Sequence, residues 1–67
     1  MNSPDTFQEI RKLFGRLDDL CQQRKRSYTG WVSGSIDPAA FGSVMKENLA
    51  ATREAAEELL RLLSPPA

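Results

Sequence analysis

Sixty-seven residues carrying nine Lys and Arg, nine Asp and Glu and no His give a chain of zero formal charge. That balance argues against a polyanion as main partner, since such binding draws on a basic excess. The lack of histidine beside a single cysteine, Cys21, removes Cys/His zinc sites and every Ser-His or Cys-His nucleophile pair.

Ser3-Pro4-Asp5 has the make-up of a helix start: a capping hydroxyl, a proline suited to the first turn and an acid facing the positive end of the dipole. Thr6 with Glu9 offers a second start as a capping box. The first helix is expected over about 4–28. Steps of three and four then pick out Phe7, Ile10, Phe14, Leu17, Cys21, Arg24, Tyr28 and Trp31 as one face. Leu13 and Leu20 widen that stripe, enough to meet more than one neighbouring helix. Cys21 within it suits a small buried hydrophobe.

Residues 29–36, with Gly30 and Gly34 among hydroxyl side chains, predict a turn, and so short a link favours an antiparallel hairpin. Asp37 then suits an N-cap, Pro38 the first helical position, and Ile36 with Phe41 a hydrophobic staple. The second helix is expected over about 37–63, ended by Ser64-Pro65-Pro66, with a short tail over 64–67. Its predicted core face is Phe41, Met45, Leu49, Thr52, Ala56, Leu59 and Leu63, flanked by Val44, Ala55 and Leu60. The expected register sets Phe7 against Leu60, Ile10 against Ala56, and Leu17 against Leu49 or Ala50.

Nothing in the chain has the pattern of a reaction centre. Gly30 and Gly34 lack the Lys-Ser or Lys-Thr of a phosphate loop. Glu54, Glu57 and Glu58 share a helix turn, but the i,i+4 pair Glu57–Arg61 makes a solvated face the better account. The expectation is a non-enzyme with no metal, no cofactor and no small-molecule substrate. No stretch reaches the ~18 apolar residues of a membrane span. The N-terminus lacks a secretory signal, which points to a soluble, cytoplasmic protein, with leaderless export left open.

The expected fold is thus all-α: one domain over 1–67, an antiparallel two-helix hairpin completed as a four-helix bundle or by a partner protein. The expected function is a non-catalytic protein-interaction module, an adaptor, chaperone or regulatory subunit, acting through apolar helix faces on a partner protein or on itself as a homodimer. The residues assigned to contact are Phe7, Ile10, Phe14, Leu17, Arg24, Tyr28 and Trp31 on the first helix, and Phe41, Met45, Leu49, Leu59 and Leu63 on the second. The alternative is a small nucleic-acid-binding regulator with Arg24, Lys25, Arg26 and Lys46 on phosphates.

Overall fold

The computed structural model describes residues 4–64. They form two helices, α1 over Pro4–Val32 and α2 over Pro38–Leu63, packed against each other. Trp31 stacks on Phe41 beside the turn, and Arg24 reaches Asn48 and Thr52 farther along, so the helices run antiparallel. The hairpin is a rod of 48 × 19 × 12 Å. Its radius of gyration is 15.4 Å, where a compact chain of this length has about 11 Å.

The start of α1 lies at Pro4, so Thr6 sits inside the first turn and does not begin the helix. Ser3, the other expected cap, lies outside the described residues, as does the tail beyond Ser64.

The expected end of α1 near 28 is wrong by a full turn. Thr29, Gly30, Trp31 and Val32 remain helical, because the chain supplies its stop signal later. Gly34 has φ +87°, a region that penalises any side chain. The Gly34 amide donates to the Trp31 carbonyl (3.1 Å), and the Ser35 amide donates to the Gly30 carbonyl (2.8 Å). Those two bonds make a Schellman motif with Gly34 in the left-handed position. Gly30 has a different task. A Cβ there would stand 2.7 Å from Ile36 Cδ1, so the bare backbone lets the returning chain lie on the end of α1.

The start of α2 follows its local sequence. The Asp37 carboxylate accepts from the Ala40 amide at 3.0 Å, Pro38 opens the helix, and the Phe41 amide donates to the Asp37 carbonyl. At the far end Ser64 is extended, as a residue before proline must be, and both its amide and its hydroxyl donate to the Leu60 carbonyl.

The seam between the helices has a strict 3-4 pattern. On α1 the inward residues are Thr6, Ile10, Leu13, Leu17, Leu20, Arg24 and Ser27. On α2 they are Phe41, Met45, Asn48, Thr52, Ala55, Leu59 and Leu62. This is a heptad seam in both helices. Ile10, Leu17 and Arg24 take position a on α1, with Leu13, Leu20 and Ser27 at d. Met45, Thr52 and Leu59 take a on α2, with Phe41, Asn48, Ala55 and Leu62 at d.

Two predicted faces therefore shift. Leu13 and Leu20 belong to the seam itself, whereas Phe7, Phe14 and Tyr28 stand outside it and are exposed. On α2, Asn48 and Ala55 are buried, and Leu49 and Leu63 point to solvent. The register differs too. The expected pairing would set Arg24 against Ser43 and Trp31 against Ile36, but their partners are Asn48 and Phe41. The longer α1 and the tight turn move the whole of α2 relative to α1.

Candidate interaction surface

A polar cluster interrupts the seam midway. Arg24 Nη1 donates to Asn48 Oδ1 and to Thr52 Oγ1, both at 2.7 Å. Asn48 Nδ2 donates to the Leu20 carbonyl (2.9 Å) and to Gln23 Oε1 (2.6 Å), and the Thr52 hydroxyl donates to the Asn48 carbonyl. Asn48 is 2% exposed, so each of these bonds replaces water that the side chain cannot reach. The cluster answers the charge at Arg24 with neutral acceptors rather than with an acid across the seam. Sequence reasoning singled out Arg24 but missed Asn48. Its signal was a polar residue at seam spacing between Met45 and Thr52.

The apolar part of the seam is thin. Ala55 and Leu59 are the hydrophobic residues that count as buried among those described. Around them the rod exposes Phe7, Phe14, Tyr28, Val32, Leu49, Leu60 and Leu63. The accessible surface is 5199 Å², against about 4,250 Å² for a compact chain of this mass. The excess is close to the ~800 Å² that one partner buries in a standard interface.

These exposed side chains are not scattered. Phe7, Phe14, Cys21 and Tyr28 recur every seven residues, one place past the d positions of α1. Gly42, Leu49, Ala56 and Leu63 occupy the same heptad place, e, on α2. In an antiparallel pair the two e rows lie on one side of the seam. The register of Trp31 with Phe41 and Arg24 with Asn48 sets Tyr28 across from Gly42, Cys21 from Leu49, Phe14 from Ala56 and Phe7 from Leu63. A large side chain stands across from a small one in the first three pairs, Phe7 and Leu63 are both large, and the result is one apolar face along the length of the rod. Leu60, beside this row, widens it. The opposite side of the seam carries Glu9, Arg16, Gln23 and Glu58 with Gly30, Val44 and Ala51.

Of the residues predicted to make contact, Ile10, Leu17, Arg24, Phe41, Met45 and Leu59 line the seam inside the hairpin. Phe7, Phe14, Tyr28, Leu49 and Leu63 form the open face. Trp31 belongs to both. It stacks on Phe41 with ring centres 4.7 Å apart, lies 6.2 Å from Tyr28, and stays 41% exposed. This aromatic group closes the turn end of the seam.

The four basic residues assigned to phosphate do not all converge. Arg24 is held in the seam, Lys25 and Lys46 flank the apolar face, and Arg26 stands on the far side of α1. The acidic turn of α2 is occupied as well. Glu57 accepts from Arg53 at 3.2 Å, and Arg61 pairs with Glu58 rather than with Glu57 as expected. Among the described residues no three His, Cys, Asp or Glu side chains gather as metal ligands would, and no helix is long and apolar enough to cross a membrane. No protein-family model, curated protein or solved structure matches this chain.

Proposed function

We propose that the protein is a non-catalytic interaction module that presents the row Phe7, Phe14, Tyr28, Leu49, Leu60 and Leu63 to another protein surface. The observation that carries this reading is the continuity of that row beside a seam with almost no buried apolar core. Isolated apolar residues on a surface are ordinary, but a contiguous face of this length marks a contact surface. Covering it completes a bundle of three or four helices, with the added helices drawn from a second copy or from a different protein. An adaptor, chaperone or regulatory subunit works in this way, by presenting a shaped surface with no reaction of its own.

The nucleic-acid alternative has weaker support. Of its four assigned cations, Arg24 is committed to Asn48 and Thr52 in the seam, and the chain as a whole has no basic excess.

A photoreactive amino acid placed at position 14, compared with one at position 12 on the far side of α1, tests the proposal in the cells that make the protein. Protein adducts should form from position 14 and not from position 12. Equal labelling from both, or none from position 14, overturns it.

A further inference from the structure

The apolar face has a rim of one predominant sign. Next to the e row, the outer places on α1 are Arg11, Asp18 and Lys25, and those on α2 are Lys46, Arg53 and Leu60. All are exposed. Four cations and one acid thus border a face on a chain whose formal charge is zero. Arg11 leans over the Phe7 ring at 6.0 Å, which binds the rim to the apolar row itself. Of the four cations, Arg53 has a carboxylate neighbour, Glu57. The compensating acids, among them Asp5, Glu9, Asp19, Glu47, Glu54 and Glu58, lie on other sides of the rod.

We infer that the occupant of this face is an amphipathic helix of a different protein, apolar along one stripe and acidic along both flanks, laid lengthwise as a third helix. The inference rests on the interaction reading above and names the partner's chemistry. Two arguments select this occupant over a second copy. Docking the face on its own image would bring Arg11, Lys25, Lys46 and Arg53 of both molecules to the same edges, and like charges so placed oppose association. Docking it on another part of a second copy would make a head-to-tail contact, which leads to a ring or an open filament rather than to a simple dimer. An acidic flank, by contrast, neutralises the rim while the apolar stripe covers the apolar row between the basic edges. The row from Phe7 to Tyr28 sets the length of the partner at about 20 residues, or roughly 30 Å of helix.

The test uses the full chain and two synthetic helical peptides of about 21 residues. Both carry leucine at the a, d and e heptad places; one has glutamate on its flanks and the other lysine. Fluorescence anisotropy of the labelled peptides should give at least about tenfold tighter binding of the glutamate peptide in low salt, narrowing as salt rises. The double variant K25E/K46E should reverse that preference. Phe14→Ser should weaken binding of the glutamate peptide without altering the helical circular dichroism of the free chain. Equal affinity for the two peptides overturns the inference. So does stronger binding to vesicles of anionic lipid than to the glutamate peptide, and so does a tight homodimer that excludes both peptides. If position 14 cross-links to protein while the peptides are not distinguished, the acidic partner fails and the interaction reading stands. If position 14 cross-links to nothing, both fall.

Discussion

Arg24 and Asn48 meet at 2.7 Å in the middle of the seam, a guanidinium donor on one helix and an amide acceptor on the other. A charged group at a heptad core position weakens a bundle relative to leucine, yet it fixes which residues face each other. Here Arg24 also donates to Thr52, while the Leu20 carbonyl and Gln23 accept from the Asn48 amide.

Replacing Asn48 by Ala therefore removes the acceptor of Arg24 and leaves a cavity, and should destabilise the hairpin by about 1–3 kcal/mol. The double variant Arg24→Leu with Asn48→Leu should recover most of that loss, because it leaves no unpaired polar group in the seam. A double-mutant cycle by urea unfolding measures the coupling. Additive single effects would show that the two side chains do not act as a unit.

The glycines make opposite predictions. Gly34→Ala places a side chain at φ +87° and should cost about 1–2 kcal/mol. Gly15→Ala meets nothing within 4 Å on an exposed stretch of α1 and should stabilise the helix by up to about 1 kcal/mol. Thermal unfolding of the two variants, followed by circular dichroism, reads both signs at once.

Asp37→Ala removes the acceptor of the Ala40 amide and should cost about 1 kcal/mol, whereas Asp37→Asn or Asp37→Ser should retain most of the stability. Equal losses for all three substitutions would mean that capping is not the contribution of Asp37.

The salt dependence of any nucleic-acid binding separates the two functional readings. With Arg24 held in the seam, binding of a single-stranded or duplex probe should be weak at 50 mM salt and absent near 200 mM. Tight binding at 50 mM salt that weakens steeply toward 200 mM and is abolished by Lys25→Ala and Arg26→Ala would restore the nucleic-acid alternative.

The local signals of α2 were legible because they are chemical and short-range. Asp37, Pro38 and Ser64 act within four residues of themselves, and the structure uses all three where the sequence places them. The phase of α1 was not legible from hydrophobicity. Two 3-4 rows share Ile10, Leu17 and Arg24; one adds Phe7, Phe14, Cys21 and Tyr28, the other Thr6, Leu13, Leu20 and Ser27. The first row is greasier, yet the second faces the partner helix. The direction in which α2 leaves the turn decides between them, and that direction depends on Gly34, on the seat of Ile36 over Gly30 and on the Trp31–Phe41 stack. None of these is a property of α1 alone. The residues of the open face were consequently assigned both to the hairpin register and to partner contact, without separation from the seam residues Ile10, Leu17, Met45 and Leu59.

Phe14 is 56% exposed, so the fold does not depend on it. Phe14→Ser should leave the free chain within about 0.5 kcal/mol of its original stability. Leu59→Ser, buried in the seam, should unfold it.

Urea unfolding of the dilute, free chain is the most direct measurement of the central claim, that the two helices expose more apolar surface than they cover. The transition should be broad, fall at low urea and move upward when a partner helix is added. A sharp transition at high urea, unchanged by concentration or by any partner, would contradict it.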